Sequence, residues 1–203
     1  MNTGIVRLTI LLEDTDPPIW RRVDVSADTT LKALHDVIQA VMGWKNAHLY
    51  QFEVDGGLLD GPGFGMGSAA PGIGETKLAN LMAQGIEEFG YLYDMGDDWA
   101  HALHLESAPA ADSNATYPRF IDGAGRCPPE DIGGPPGFYH FLKVMRNTRH
   151  PEHRELKEWH GGPFDPKAMD VASIRRRLKE LSPRPAPAKR RSAKKKSNPS
   201  RNS

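Results

Sequence analysis

The sequence predicts an α+β domain with a ubiquitin-like β-grasp-type sheet, a second β-hairpin and several C-terminal helices. Three observations indicate this class: two strand-like runs near the start, a periodic helix followed by an alternating strand, and a helical last third. A hairpin, a helix and then a strand is the order in which a β-grasp domain opens. We expect a single domain over residues 1–181 and a disordered basic tail over residues 182–203.

The first three elements follow from residue type and spacing. Residues 6–12 are rich in branched side chains, and residues 19–25 repeat this character after a turn with two adjacent prolines, which predicts a hairpin. Over residues 31–43 apolar side chains recur at intervals of three and four, which predicts a helix with one buried face. Thr29 or Thr30 is placed to cap its N-terminus.

The rest of the domain alternates between strand-like and helix-like segments. Residues 48–55 alternate in polarity, which predicts a half-buried strand. Residues 56–74 contain eight glycines and two prolines, so we expect a long flexible loop. The remaining predictions are a short helix at 76–82, a hairpin at 86–94 and 99–106, an extended proline-rich stretch at 117–137, and helices at 137–147, 151–159 and 169–181.

Composition restricts the compartment and the partners. The chain has 203 residues, 38% of them hydrophobic, and no apolar run approaches the ~20 residues that a membrane helix needs. Its start lacks the pattern of a secretion signal, and Cys127 is the only cysteine, so no internal disulfide can form. We therefore expect a cytoplasmic protein with no membrane partner.

The net charge of zero conceals a strong asymmetry between body and tail. After residue 181 there are eight lysine or arginine residues and no acid; removing these eight from the total of 26 leaves 18 basic residues against 26 acidic ones. A basic tail can bind nucleic acid phosphates in a salt-dependent manner, or it can fold against the acidic body. The tail residues predicted to contact nucleic acid are Lys189, Arg190, Arg191, Lys194, Lys195 and Lys196.

Two acidic segments are candidate cation sites. The turn of the second hairpin carries Asp94, Asp97 and Asp98, and a loop between two prolines and two glycines carries Glu130 and Asp131. Several carboxylate oxygens can hold a divalent cation such as Mg²⁺, Mn²⁺ or Ca²⁺, so these five residues are candidate metal ligands. The alternative is that both segments are structural turns whose acids accept hydrogen bonds from nearby backbone amides.

The second hairpin also carries aromatic side chains and a histidine. Tyr91 and Tyr93 alternate onto one face of the first strand, and Trp99 and His101 onto one face of the second, so Tyr91, Tyr93 and Trp99 form a candidate binding surface. His101, near the turn carboxylates, is a candidate general base. The alternative for His101 is a partly buried, hydrogen-bonded histidine.

Several segments resemble the plasmid pRiA4b ORF-3-like family, some of whose members are insertion-element passenger proteins labelled TnpR, or resolvase. The two central motifs are Tyr-Asp-Met-Gly-Asp-Asp-Trp-Ala-His at residues 93–101 and Cys-Pro-Pro-Glu-Asp-Ile-Gly-Gly-Pro-Pro-Gly at residues 127–137. Segments at 18–23, 44–52 and 159–166 extend the resemblance to about residues 3–181. The resemblance implies a mixed α+β domain with a ubiquitin-like element.

The sequence contains no recombinase active site. A serine recombinase needs a nucleophilic serine among arginines near the N-terminus, and Ser26, the only early serine, lies where a turn or cap is expected. A tyrosine recombinase needs a His-x-x-Arg element, but His150 lies four residues before Arg154. It also needs a late tyrosine, and Tyr139 is followed only by helices and the tail. Any role in recombination is therefore expected to be accessory and not enzymatic.

These observations favour a non-catalytic binding or accessory protein of mobile-element type, which contacts nucleic acid or a protein partner. The alternative is a divalent-metal-dependent hydrolase of the phosphodiester class, with ligands from the acidic loops 94–98 and 130–131 and His101 as base. A second alternative is a β-grasp interaction domain that pairs through an exposed strand edge. A metal site requires the two acidic loops to converge within ~5 Å of one point.

Overall fold

The structure is a computed structural model that describes residues 4–64, 72–108, 112 and 115–182. In this part of the chain there are seven strands: β1 (Ile5–Leu12), β2 (Ile19–Ser26), β3 (Tyr50–Val54), β4 (Gly57–Asp60), β5 (Glu88–Tyr93), β6 (Trp99–Ser107) and β7 (Arg119–Ala124). The same residues form five helices: α1 (Leu31–Met42), α2 (Leu78–Ala83), α3 (Gly134–Arg146), α4 (His153–His160) and α5 (Val171–Leu181).

The strands form one antiparallel sheet in the order β4-β3-β5-β6-β1-β2-β7. The first predicted hairpin pairs from Ile5 opposite Ser26 to Leu12 opposite Ile19, and the second joins β5 to β6. The branched residues of β1 and β2 alternate into the core, as their period of two requires. The chain is thus a mixed α/β domain with an antiparallel sheet at its centre.

The topology does not confirm a β-grasp assignment. The hairpin, helix and strand occur in the expected order as β1, β2, α1 and β3. However, β5 and β6 lie between β3 and β1, and β1 pairs with β6 in the antiparallel sense. The order of elements along the chain was predicted from local patterns, whereas the pairing depends on contacts between distant strands.

Helix α1 confirms the periodic pattern. The Thr30 side chain accepts a hydrogen bond from Ala33 N at 3.2 Å and caps the N-terminus. Gly43 ends the helix in the left-handed region at φ 94°, and its N–H donates to Gln39 O. The loop that follows therefore leaves the helix at a fixed position, which matters for the site described below.

Two strands lie where loops were predicted. β4 lies inside the glycine-rich segment and pairs with β3 across Asp55-Gly56, both of which have positive φ. Asp-Gly between alternating residues is a hairpin signal, and the glycine count obscured it. β7 lies inside the proline-rich stretch, and α3 begins three residues earlier than predicted because Pro135 and Pro136 are tolerated in a first helical turn.

A buried carboxylate connects three neighbouring strands, β1, β2 and β7. Asp24 of β2 is 2% exposed and accepts hydrogen bonds from Arg7 Nε at 2.8 Å, Arg7 Nη2 at 3.1 Å and Arg119 Nη2 at 3.1 Å. Arg7 lies on β1 and Arg119 on β7, so one charge network crosses the hairpin and the edge strand. None of the described helices is long and apolar enough to cross a membrane.

Candidate metal centre

Three loops meet at one end of the sheet. The first is the 43–49 loop between α1 and β3, the second is the acidic turn 94–98 between β5 and β6, and the third is the proline loop 125–133 between β7 and α3. Pairing of β3 with β5 places Tyr50 opposite Tyr93, and Asp94 N donates to Leu49 O at 2.9 Å. The sheet register therefore brings the 43–49 loop beside the acidic turn.

His48 is the point on which the carboxylates converge. Its Nε2 lies 3.4 Å from Asp94 Oδ2, 3.4 Å from Glu130 Oε2 and 3.1 Å from Asp131 Oδ1. Although these contacts are short, none has the geometry of a hydrogen bond, and Nε2 is a buried atom without a hydrogen-bond partner among the described residues. The ring nitrogen thus faces three carboxylates without pointing along a line to any one of them.

The distances from His48 Nε2 to Asp94 and Asp131 match those between two ligands of one metal ion. His48, Asp94 and Asp131 each offer a ligand atom, and these atoms lie within 4.8 Å of one another. Two ligands that are each about 2.1 Å from an ion lie about 3.0–3.4 Å apart at octahedral to tetrahedral angles. We call these three residues, with Glu130 at their edge, the His48 centre.

Backbone conformation fixes the two aspartates of the centre. Asp94 has φ 61° and Asp131 has φ 58°, a left-handed conformation that aspartate and asparagine tolerate better than most residues. Asp94 Oδ1 accepts a hydrogen bond from Gly96 N at 2.9 Å. This bond leaves Oδ2 free to face His48.

Tyr93 joins the 43–49 loop to the proline loop. Its hydroxyl accepts a hydrogen bond from Ala47 N at 3.0 Å and lies 3.2 Å from both oxygens of Glu130, to which it donates. Burial raises the pKa of Tyr93 to about 12, so the phenol keeps its proton at neutral pH. Lys45 N also donates to Glu130, so this carboxylate is held at the edge of the centre by two donors.

Trp44 provides a second link between the same loops. Its indole N–H donates to Pro128 O at 3.0 Å, and its ring stacks on Tyr93 with centroids 5.0 Å apart. The side chain is 2% exposed. The loops that carry the centre are therefore positioned by buried aromatic contacts and do not rely on surface contacts alone.

The centre carries three carboxylates around one histidine. Among the described residues, no lysine or arginine forms a salt bridge with Asp94, Glu130 or Asp131. The side chains of Asp94 and Glu130 are only 11% and 12% exposed, whereas that of Asp131 is 70% exposed. A half-buried group of carboxylates of this kind favours a bound cation. The centre is open to solvent on the side where Asp131 lies.

Two of the five acidic candidates lie outside the centre. Asp97 Oδ2 accepts a hydrogen bond from Gly133 N at 3.1 Å, which ties the acidic turn to the proline loop. Asp98 is exposed and has φ 59°, and its N–H donates to Asp94 O. Asp97 fits the alternative that these acids accept hydrogen bonds from backbone amides, and Asp98 lies exposed in the same turn. The structure thus divides the acidic residues into a convergent group and a structural pair.

The proposed aromatic surface is part of the core, which corrects that expectation. Tyr91, Tyr93 and Trp99 are 2%, 1% and 1% exposed. Alternation identified the face that they share, but this face packs under α1 and the 43–49 loop and does not face solvent.

His101 is buried as well. Its Nδ1 lies 2.9 Å from Trp99 O, and burial lowers its pKa to about 4. The side chain is 2% exposed. Among the described residues, His101 takes part in none of the ion pairs that form the centre. The buried, hydrogen-bonded histidine is the alternative that this geometry fits, and it does not support a role as general base.

Sequence reasoning missed His48 as a site residue. It placed His48 at the start of a strand, whereas β3 begins at Tyr50 and His48 lies in the loop. The useful signal was the pairing of β3 with β5, which sets residues 48 and 49 beside Asp94. That pairing is not visible in the local pattern of either strand.

Comparison with known proteins identifies the relatives of this chain. A family model described as plasmid pRiA4b ORF-3-like protein matches residues 4–173. The chain belongs to this family. Within it, the chain is 34% identical over 190 residues to "Uncharacterized protein y4hQ" of Sinorhizobium fredii (strain NBRC 101917 / NGR234), which covers 90% of this chain and 94% of the relative.

A crystal structure supports the fold of this pRiA4b ORF-3-like protein. The protein of unknown function MM3350 from Methanosarcina mazei Go1 superposes with a TM-score of 0.74 at 31% identity, over 85% of this chain and 98% of that one. The match to the family model includes every residue of the His48 centre. Neither of these relatives is named for an activity.

Proposed function

We propose that this protein is a non-catalytic binding protein that holds a divalent transition-metal ion on His48, Asp94 and Asp131. The observation that carries the proposal is the convergence of carboxylates from two distant loops on one buried histidine nitrogen, with ligand atoms within 4.8 Å of one another. Glu130 at the edge adds charge and orients the Tyr93 hydroxyl.

The donor set restricts the ion. Mg²⁺ and Ca²⁺ prefer ligand sets made only of oxygen, whereas an imidazole with carboxylates suits Mn²⁺, Fe²⁺ or Zn²⁺. The single cysteine, Cys127, is buried, and burial raises its pKa to about 12, so it is not a thiolate ligand at neutral pH. Mn²⁺ and Zn²⁺ are therefore the ions to test first.

A metal ion accounts for the geometry better than an ion pair within the protein. A protonated His48 has one N–H at Nε2, and this group can point along one direction only. Here three oxygens lie at 3.1–3.4 Å and none is in line with the ring. A cation between the groups satisfies all of them together.

Binding is favoured over phosphodiester hydrolysis because the candidate base is absent from the centre. His101 is buried among Trp44, Tyr91 and Trp99, and its pKa is lowered to about 4 by burial. A general base must reach the proton that it removes. The described part of the chain offers no second histidine in contact with the His48 centre.

Nucleic acid contact through the tail is a separate proposal. Residues Lys189, Arg190, Arg191, Lys194, Lys195 and Lys196 lie outside the described residues. It is supported by the charge of the tail alone, and such contact weakens steeply as salt increases. An accessory role in a mobile element is also a proposal. So is pairing with a protein partner at an edge strand of the sheet, which here is β4 or β7.

Calorimetric titration of the metal-free full chain with MnCl₂ and ZnCl₂ tests the metal proposal. We expect one ion per chain, and an ion at 100 times its dissociation constant to raise the unfolding free energy by about 2.7 kcal/mol. Asp94→Asn is the diagnostic variant, because Asn tolerates the left-handed backbone and keeps the oxygen that accepts from Gly96 N. This variant should bind the ion at least tenfold more weakly.

Asp98→Asn is the matched control. It makes the same chemical change in the same turn and at the same sign of φ, but the residue is exposed and outside the centre. It should bind like the parent chain. Equal affinities for Asp94→Asn, Asp98→Asn and the parent, or the absence of stoichiometric binding to the parent, would contradict the proposal.

A further inference from the structure

Residues of the proline loop also line a cavity that is separate from the His48 centre, and its lining is basic. It has a volume of about 490 Å³ and is enclosed by the end of α1, the first half of α5, residues 126–129 and the segment from α4 to α5. Cavities of about 300–1,000 Å³ are typical of small-molecule sites. We call it the arginine pocket, because Arg21, Arg126 and Arg177 line it.

The pocket has more positive than negative charge. Its only lining carboxylate within the described residues is Asp170, which is already used to cap α5 by accepting a hydrogen bond from Ser173 N at 2.9 Å. None of the three arginines forms a salt bridge in the part of the chain that the structure describes. With Cys127 protonated, the lining residues are three arginines and one carboxylate, and Glu180 and Glu130 also act on the charge of Arg177 from outside the lining.

Arg21 is a buried cation that forms no salt bridge within the described residues. It is 2% exposed, and four of its N–H groups donate to backbone carbonyls: those of Val41 at 3.0 Å and of Trp20, Ala124 and Gly125 at 2.8 Å each. Carbonyl dipoles solvate the guanidinium but leave its charge uncompensated. Because a buried charge is costly unless it is paired, an anion in the adjacent pocket would stabilise this arrangement.

Arg126 is positioned by Phe164 and His160. Its guanidinium lies over the Phe164 ring at 4.4 Å, and its Nη2 is 3.4 Å from His160 Nε2. His160 Nδ1 donates to Gly162 O at 2.9 Å, which leaves Nε2 as the atom that can accept from Arg126. The Nε and Nη1 groups of Arg126 make no hydrogen bond within the described residues and remain available as donors.

Arg177 links the pocket to the loops of the metal centre. Its Nη2 donates to Trp44 O, and burial lowers its pKa without removing its charge. Trp44 in turn donates to Pro128 O. The remaining N–H groups of Arg177 are free of protein acceptors in the described residues and can face a ligand.

We infer that the arginine pocket binds a small molecule that carries a phosphate group. Guanidinium groups present N–H donors in a planar array that matches phosphate oxygens, and a doubly charged phosphate complements the positive charge of the lining. Apolar walls from Val41, Phe164, Met169 and Ile174 accommodate an organic group beside the phosphate. This site is distinct from the His48 centre and goes beyond the proposed metal function.

Titration of the metal-free full chain with phenyl phosphate at constant ionic strength tests the inference. We expect saturable binding at one site, with benzoate and inorganic phosphate weaker because each lacks one half of the ligand. Arg126→Gln and Arg177→Gln should each weaken the binding of phenyl phosphate roughly tenfold or more, since each removes a charge-assisted donor. Neither residue is buried as deeply as Arg21, so the variants should fold.

Arg175→Gln is the matched control, because Arg175 is exposed on α5 and does not line the pocket. It should bind phenyl phosphate like the parent. Equal weakening by Arg175→Gln would assign the binding to general basic charge, including that of the tail, and would overturn the inference. So would binding of benzoate as tight as that of phenyl phosphate, or no saturable binding at all.

Discussion

Asp94 and Asp131 present carboxylate oxygens to the same histidine nitrogen from left-handed backbone positions, with φ 61° and φ 58°, at 3.4 and 3.1 Å from His48 Nε2. They lie in loops that are 37 residues apart in sequence numbering, so their meeting depends on the assembled sheet. The left-handed conformation selects short polar side chains, and the site therefore combines a backbone requirement with a charge requirement.

Asparagine and alanine at position 94 separate these two requirements. Asn keeps the left-handed preference and the acceptor for Gly96 N, whereas Ala loses both. We expect Asp94→Ala to lower the unfolding free energy of the metal-free chain by about 1–3 kcal/mol more than Asp94→Asn. Urea unfolding monitored by circular dichroism measures the difference, and equal stabilities would contradict the backbone requirement.

Removing the Tyr93 hydroxyl should affect stability and metal affinity together. Tyr93→Phe leaves Ala47 N without its acceptor and Glu130 without one of its two donors. We expect a loss of about 1–3 kcal/mol of unfolding free energy and roughly tenfold weaker binding of Mn²⁺ or Zn²⁺, because outer partners orient metal ligands. Thermal unfolding and calorimetric titration measure the two effects.

Tyr139→Phe is the comparison for that variant. Its hydroxyl also makes two hydrogen bonds, with Asp16 N and Asp14 O, but the side chain is 40% exposed. Water can replace those bonds, so we expect a smaller loss of stability and unchanged metal affinity. A loss of metal affinity in Tyr139→Phe equal to that in Tyr93→Phe would show that the effect is not local to the His48 centre.

The carboxylate of Asp24 should contribute far more to stability than an exposed one. Asp24→Asn removes the charge that compensates Arg7 and Arg119 in a buried position, and breaking one partner of a buried pair costs about 3–5 kcal/mol. Asp28→Asn removes a pair with Lys77 in which both side chains are 46% exposed, and we expect about 1 kcal/mol or less. Urea midpoints of the two variants provide the test, and similar shifts would refute the predicted difference.

Two buried histidines make the fold sensitive to mild acid. Burial lowers the pKa of His35 and His101 to about 4, whereas in the unfolded chain a histidine titrates near 6.5. Between these values the unfolded state binds the extra proton, so stability falls as the pH drops from about 6.5 to about 4. Each histidine contributes roughly 1 kcal/mol per pH unit in this window, and its full contribution is present above it.

His101→Gln should reduce this dependence, because the replacement does not titrate. We expect the slope of unfolding free energy against pH, measured in urea between pH 5 and 6, to decrease by roughly 1 kcal/mol per unit. His140→Gln, at an exposed histidine paired with Glu152, serves as the control and should change the slope less. An unchanged slope in His101→Gln would mean that His101 is not buried in its neutral form.

Local patterns determine much of this fold. The branched runs of β1 and β2, the threonine cap and spacing of α1, and the second hairpin all depend on residues close in sequence, and the structure confirms them. β4 and β7 were missed because glycine and proline suggested loops, although Asp55-Gly56 is itself a hairpin turn. The topology was not predictable because strand order depends on distant pairing.

The candidate site was predictable only in part, because it too depends on contacts between residues that are distant in sequence. Clustered acids at 94–98 and 130–131 identified both loops, but sequence could not divide Asp94 and Asp131 from Asp97 and Asp98. That division depends on which side chains face His48, because Asp94 also accepts hydrogen bonds from the backbone. His48 itself became a candidate only when the pairing of β3 with β5 placed it beside Asp94.

The most direct test of the metal centre is anomalous diffraction from crystals of the full chain grown with MnCl₂ or ZnCl₂. We predict an anomalous peak about 2.0–2.3 Å from His48 Nε2 and from a carboxylate oxygen of both Asp94 and Asp131. A peak elsewhere, or no peak and a direct hydrogen bond between His48 Nε2 and a single carboxylate, would contradict the account and assign the cluster to an ion pair.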